Sequence, residues 1–262
     1  MLLALTRDVS PTFDRCELTY LPRSPIDVAE ARRQHSEYKQ CLRELGCHVI
    51  SLSGNSELPD AVFVEDTAIV LDEMALIARP GAVSRQAETP EVRDLLKAYR
   101  KLHVIEAPAT LDGGDVFRIG KTLFVGLSSR TNGEGVDQLT AAVGSAGYKV
   151  KTVNIRNGLH LKSAVTRLAD KLILVNPEWV DPAQFGNLEV IEVDPSEPHA
   201  ANALRVRDRV VYPTQHRKTT ARLKSRGLKI RQVDMSEFLK AEGGVTCGSI
   251  VFAHPPEKLV EN

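Results

Sequence analysis

A pattern of strand, strand, helix, strand recurs along this chain every 40 to 50 residues or so, and that periodicity limits the fold more than any single motif. The clearest copy predicts strands at Thr67–Leu71 and Met74–Ala78 around the turn Asp72-Glu73, a helix near Glu91–Tyr99 and a strand at His103–Glu106. The next reads Val116–Ile119, Leu123–Leu127, a helix near Gly135–Ala146 and Lys149–Val153. A third reads Ser163–Leu168, Leu172–Asn176, a weak segment Asp181–Phe185 and Glu189–Val193. A fourth reads Ala203–Val206, Val210–Tyr212, His216–Ser225 and Lys229–Val233. The fifth can be completed only across the termini: Ser249–Ala253 would pair with Leu2–Leu5, followed by a helix and the strand Cys47–Ser53. Five such copies predict an α/β protein whose small sheets form a closed ring, with the chain ends locked into one of them. An ordinary doubly wound sheet is the competing architecture. Residues 1–262 need no interdomain linker and are read as a single domain.

The helix of the fifth copy spans Ser24 to Leu45, with Ala31, His35, Tyr38, Leu42 and Leu45 along one face. Ser24-Pro25 supplies a cap and a first-turn proline, and Gly46 ends it. Lys plus Arg and Asp plus Glu number 34 each, so the net charge is zero and no general drive toward nucleic acid or an anionic membrane follows. Apolar runs such as Leu172 to Val175 are strand-sized, far below the roughly 18 residues that cross a bilayer. The start, MLLALTRD, has no basic segment before its short apolar stretch, so a soluble cytoplasmic protein is expected. Four cysteines without a C-x-x-C pair point to reduced thiols rather than a disulfide scaffold or zinc site. Gly120-Lys121-Thr122 resembles the end of a phosphate-binding loop, but the spacing from Gly114 is one residue too long and a strand follows, so it reads as a hairpin turn.

In this repeat the segments that lead into each hairpin occupy equivalent places near a common axis. They are Asp60 to Asp66, Asp112 to Asp115, His160 to Ser163, Ala201-Asn202 and Gly243 to Cys247. Their convergence would gather a thiol, an imidazole and several carboxylates, a set able to perform nucleophilic catalysis. Each member has a plainer reading in isolation: Cys247 as a small core residue, His160 as a structural histidine, Asp112-Gly113-Gly114 as a turn. Glu65-Asp66 follows Val62-Phe63-Val64, and a carboxylate pair in that apolar frame calls for a cationic partner, which a positively charged substrate could supply.

Leu111-Asp-Gly-Gly-Asp-Val116, Gly126-Leu-Ser-Ser-Arg-Thr-Asn132, Gly158-Leu-His-Leu-Lys-Ser163 and Glu242-Gly-Gly-Val-Thr-Cys247 together resemble the dimethylarginine dimethylaminohydrolases, members of the guanidino-group-modifying (pentein) superfamily. Phe63-Val-Glu-Asp66 and Arg79 to Arg85 also match that family, and the likeness runs from about Leu18 to Ser249. It implies a five-bladed α/β propeller. It further implies Cys247 as nucleophile, His160 as general acid and base, and Asp112, where some relatives carry glutamate, as the carboxylate that positions His160. Arg85 and Arg130 match residues that hold the substrate α-carboxylate, and Asp60 one that binds the α-amino group. Asp66, supported by Glu65, would face the guanidinium, and the Leu18 and Ala241 carbonyls the amino end. Glu17 to Pro25 matches a mobile lid.

The resemblance implies hydrolysis of Nω-methylated L-arginine to L-citrulline and a methylated amine, with no metal or other cofactor and a small molecule as the only partner. The sequence leaves a homodimer open. Two alternatives stand beside this reading. A compact arginine deiminase shares the triad, although deiminases usually carry an added helical domain for which this chain has no room. A non-catalytic binding module of the same fold would have no need of Cys247, His160 and Asp112 at successive hairpins.

Overall fold

The computed structural model describes residues 1–254; the last eight positions of the expected 1–262 domain lie outside the described residues. Its fifteen strands form five three-stranded sheets. In chain order these are β1 (Leu2–Arg7), β2 (Cys47–Leu52), β3 (Ala68–Val70), β4 (Met74–Ile77), β5 (Lys101–Val104), β6 (Val116–Ile119), β7 (Thr122–Leu127) and β8 (Lys149–Asn154). There follow β9 (Val165–Ala169), β10 (Leu172–Val175), β11 (Glu189–Glu192), β12 (Leu204–Val206), β13 (Arg209–Pro213), β14 (Lys229–Val233) and β15 (Ile250–Ala253).

Every sheet has the same plan. Its middle strand pairs antiparallel with the strand before it and parallel with the strand after it, as in β3-β4-β5 and β6-β7-β8. An antiparallel neighbour needs only a tight turn, whereas a parallel one needs a crossover. Helices α1 (Val28–Glu44), α2 (Thr89–Leu96), α3 (Gly133–Gly144) and α5 (Arg217–Ser225) supply four crossovers, and a 3-10 turn at Pro182–Phe185 the fifth. The remaining helices are one turn each: α4 (Leu161–Ala164) and α6 (Ser236–Leu239). The sheet predicted across the termini is present, with Leu2 opposite Ala253 in antiparallel register and opposite Cys47 in parallel register.

The middle strands show why the sequence demands this stacking. Along β4, Ala75 and Ile77 enter one apolar cluster with Leu3 and Leu5 of the first sheet. Met74 and Leu76 enter another with Val116, Leu123 and Val125 of the third. Likewise Ile173 and Val175 of β10 pack with Phe117 and Phe124, while Leu174 packs with Val210 and Tyr212. The period of two sends alternate side chains to opposite faces, so each middle strand carries apolar residues on both faces and joins two cores. A fifth cluster links Val206 and Val211 of the last sheet to Ala4 and Cys47 of the first.

Two sequence expectations are corrected and one holds. Helix α1 begins at Val28, not near Ser24, because the Asp27 side chain accepts from the Ala29 and Glu30 amides and forms the cap, leaving Pro25 outside the helix. Strand β5 begins at Lys101, two residues before the predicted position, where it pairs in parallel with Met74 to Ile77. Gly120, with φ of +57°, turns the β6-β7 hairpin, as read from its spacing.

Candidate active site

The five segments that precede the first strands meet in one hydrogen-bonded centre. Glu65 lies in a 3-10 turn at Val64–Thr67; its amide donates to the Cys247 carbonyl at 3.1 Å. One Glu65 carboxylate oxygen accepts from Lys162 Nζ at 2.7 Å and the other from Thr246 Oγ1 at 2.6 Å. Asn202 Nδ2 donates to Thr246 Oγ1 at 3.0 Å and to the Lys162 carbonyl at 3.2 Å. Asp115, buried in the second segment, accepts from the Leu161 amide at 2.8 Å and so fixes the turn that carries His160.

The His160 ring sits between two carboxylates, with Nε2 2.9 Å from Asp112 Oδ2 and Nδ1 3.8 Å from Asp66 Oδ1. The aspartate side chain is therefore long enough to reach the imidazole. The other Asp112 oxygen accepts from the Gly81 amide at 2.8 Å, which fixes the carboxylate plane. Only glycine fits at position 114, since a Cβ there would lie 2.5 Å from Asp66 Oδ1 and 2.8 Å from His160 Nδ1. Burial opposes charge on the ring, but Asp66, the Asp112 hydrogen bond and Asp115 outweigh it and push His160 up to about 9. Asp66 is held below the usual carboxylate range, against its burial, by His160 and Arg85.

Cys247 is partly exposed, and the Gly244 amide points at its Sγ from 3.4 Å. Burial in this acidic centre, then the charges of Glu65 and Asp66, push its thiol up to about 12. A cavity of about 670 Å³ opens on the thiol, bounded by Tyr20, Leu21, Trp179, His199 and Glu242. A cation placed there would reverse the electrostatic cost of forming thiolate.

The expected substrate-binding residues are differently disposed. Arg85 is buried and already engaged: Nε and one Nη bond Glu88, the other Nη bonds Asp66 at 2.7 Å, and the Phe63 carbonyl accepts at 3.1 Å. Asp60 accepts the Glu17 amide at 3.1 Å, and burial raises its carboxyl. Arg130 lies 3.5 Å from the Glu17 carboxylate and 3.3 Å from Thr19 Oγ1. Glu17 thus presents an N–H to Asp60 and a carboxylate to Arg130. Leu18 is half-buried beside it, and Ala241 is buried next to Glu242. The Glu242 carboxylate in turn accepts from the Thr19, Tyr20 and Leu21 amides at 3.1, 2.5 and 2.6 Å, which ties down the segment expected to be a lid.

Lys162, Thr246, Asn202, Asp115, Glu88 and Glu242 were not singled out as site residues from sequence. Four of them lie inside segments that were, so proximity to a predicted hairpin was the available signal. Asp66, Asp112 and His160 offer ligand atoms within 4.8 Å of one another, the geometry of a metal site. Each of the four carboxylate oxygens nevertheless already accepts one hydrogen bond, from Arg85, the Gly114 amide, the Gly81 amide or the His160 ring.

Residues 23–249 match the protein family described as "N,N dimethylarginine dimethylhydrolase, eukaryotic". The chain is 37% identical to the N(G),N(G)-dimethylarginine dimethylaminohydrolase of Streptomyces coelicolor over 94% of its own length and 95% of that protein's. It is 34% identical to the enzyme of that name from Pseudomonas aeruginosa, over 86% and 90%. A crystal structure of a cysteine-to-serine mutant of the Pseudomonas enzyme, complexed with citrulline, superposes with a TM-score of 0.91 at 32% identity, covering 95% of this chain and 98% of that one. The chain belongs to the dimethylarginine dimethylaminohydrolase family.

Proposed function

We propose that the protein hydrolyses Nω-methylated L-arginine to L-citrulline and methylamine or dimethylamine, with Cys247 as nucleophile, His160 as proton donor and acceptor, and Asp112 as the group that orients His160. The observation that carries the reading is the imidazole held between Asp112 and Asp66, in the same hydrogen-bonded centre as a thiol that opens on a cavity. Family membership and the citrulline bound to the Pseudomonas relative support the substrate class.

A guanidinium is resonance-stabilised and a poor electrophile, so it must be held against carboxylates and met by a strong nucleophile. The bound cation offsets the repulsion that Glu65 and Asp66 exert on a thiolate, and Cys247 loses its proton to solvent as substrate binds. Sulfur attacks the central guanidinium carbon. His160, protonated at neutral pH, donates to the departing nitrogen as the C–N bond breaks, leaving an S-alkylthiouronium on Cys247. The now neutral imidazole takes a proton from water. The hydroxide attacks the same carbon, the C–S bond breaks with its electron pair going to sulfur, and the thiolate takes up the hydroxyl proton, so citrulline leaves with the Cys247 thiol and the protonated His160 restored.

In this reading Asp66 faces the guanidinium with Glu65 behind it. Arg130 takes the α-carboxylate once Glu17 moves aside, with Arg85 beside it, and Asp60 with the Leu18 and Ala241 carbonyls takes the amino end. The five sheets form a closed five-bladed propeller, supported by the packing of β6 on β9, β9 on β12, α1 on β14 and β15 on β3. The chain is then one domain over 1–262. No helix among the described residues is long and apolar enough to cross a membrane, and the four cysteines are free, which supports a cytoplasmic enzyme. A homodimer is compatible with the reading.

The test is citrulline release from asymmetric dimethylarginine, monomethylarginine and arginine at equal concentrations, with Cys247→Ala as blank. A preference for the methylated substrates by orders of magnitude, with a silent blank, is expected. Arginine preferred would make the protein a deiminase, and no citrulline from any of the three would overturn the proposal.

A further inference from the structure

A second cavity, of about 500 Å³, runs along the first strands of the five sheets. Glu65, Lys162 and Thr246 form the end nearest the reacting groups, and the Lys162–Glu65 ion pair at 2.7 Å stands between the two spaces. The far end carries Arg118 of β6, Arg167 of β9, and Arg205 and Arg207 of the β12-β13 hairpin. Nothing in the proposed hydrolysis uses these four side chains.

Their charges are incompletely balanced. Arg118 gives one Nη to Asp72 and the other to Tyr148 Oη, and Arg205 gives one Nη to Asp170 and its Nε to the Arg207 carbonyl, which leaves the second Nη of Arg205 unused. Both carboxylates also line the cavity, at its open side, Asp170 being 85% exposed while Arg205 is only 25% exposed. Arg207 spends one Nη on the Gly46 carbonyl. Arg167 is half-buried and makes no ion pair or side-chain hydrogen bond among the described residues. Burial, followed by the neighbouring charge of Arg205, weakens the hold of Arg167 on its proton; Asp170 opposes this without cancelling it, and Arg118 adds to it. Guanidinium groups that converge on a cavity with donors to spare repel one another until an anion joins them.

We propose that this cavity binds a phosphate group, as free phosphate or a small phosphomonoester, held by Arg167 and Arg205 with Arg118 and Arg207 beside them. Planar multi-donor forks fit a tetrahedral oxyanion, and a dianion matches several cations better than a single carboxylate does. The volume suits a small molecule. A ligand here sits beyond the Lys162–Glu65 pair, so it can be bound together with an amino acid at Cys247.

The test is titration of the full chain with inorganic phosphate at constant ionic strength set by sodium chloride. Binding is followed by the rise in Tm and by calorimetry, with saturating citrulline present to fill the other cavity. Saturable binding that persists with citrulline and in Cys247→Ala, and that weakens at least tenfold in Arg167→Gln while citrulline release is unchanged, is expected. Arg205→Gln gives the same readout should Arg167→Gln fold poorly. Methyl phosphate binding as tightly as phosphate assigns the site to phosphomonoesters, and a tenfold weaker ester assigns it to the free ion. Absence of saturation, displacement by citrulline, or equal affinity in both arginine variants would overturn the proposal.

Discussion

Replacing Glu65 by glutamine should make Cys247 more reactive, although it alters the polar centre beside the thiol. The rise of the thiol from 9.0 to about 12 corresponds to about 4 kcal/mol against the thiolate. At pH 8 roughly one thiol in ten thousand is then ionised, following from the same relation. Glu65 is the largest cause of that rise after burial, and its removal leaves the Lys162 ammonium unopposed nearby. A close charge typically moves a pKa by about one to three pH units, so even the low end multiplies the thiolate about tenfold. Glutamine keeps an oxygen for Lys162 and an amide for Thr246, so hydrogen bonding in the centre survives. The assay is inactivation by iodoacetamide, a neutral reagent, with the alkyl group located on Cys247 by mass spectrometry. Wild-type protein should react with a rate that rises tenfold per pH unit from pH 7 to 10, and the variant at least tenfold faster at pH 8. A wild-type rate that levels off below pH 9, or a variant no faster than wild type, would refute the electrostatic account.

His160 gains its charge partners only on folding, and its pKa rises from 6.5 to about 9. The associated stability, up to about 3 kcal/mol, is fully present below pH 6.5 and is lost as pH rises through 9. Thermal melts should show that loss in wild type and a flatter profile in His160→Gln; parallel profiles would sink it. Glu242→Ala removes an acceptor shared by the Thr19, Tyr20 and Leu21 amides, in the segment the resemblance reads as a lid. Charge-assisted bonds at this partly exposed place, about 1.5 kcal/mol together, predict a KM roughly tenfold higher with kcat little changed. Glu17→Ala should act oppositely, lowering KM severalfold, because the Glu17 carboxylate occupies Arg130. An unchanged KM would show that this contact does not compete with substrate.

Much of the fold was legible because two patterns alternate along the chain: short continuous apolar runs in the middle strands and apolar residues spaced three to four apart in the crossover helices. The sheet across the termini was legible because Leu2–Leu5 and Ser249–Ala253 each lacked a partner nearer in sequence; the observed strand starts one residue later, at Ile250. Boundaries were less so. The start of α1 was misplaced because Ser24-Pro25 and Asp27 are both acceptable starts, and only the direction of the Asp27 carboxylate decides between them.

The site divides along a similar line. Cys247, His160 and a set of carboxylates could be nominated because they sit at the same point of a repeated unit, so a one-dimensional period carried three-dimensional information; the choice of Asp112 among those carboxylates came from the family resemblance. Pairing among charges carries no such period. Arg85 was expected to hold a substrate carboxylate, yet the fold gives it Glu88, Asp66 and a backbone carbonyl before any ligand arrives. A buried guanidinium has five donors and a large desolvation cost, so it will accept whichever acceptors packing brings near. Which ones those are depends on the stacking of separate sheets. Glu65 follows the same logic, with both oxygens committed to Lys162 and Thr246 from two other segments. Residue type at a repeat position therefore identifies groups that can react, while the protonation state in which they wait is set by neighbours 19 to 181 residues away in the chain.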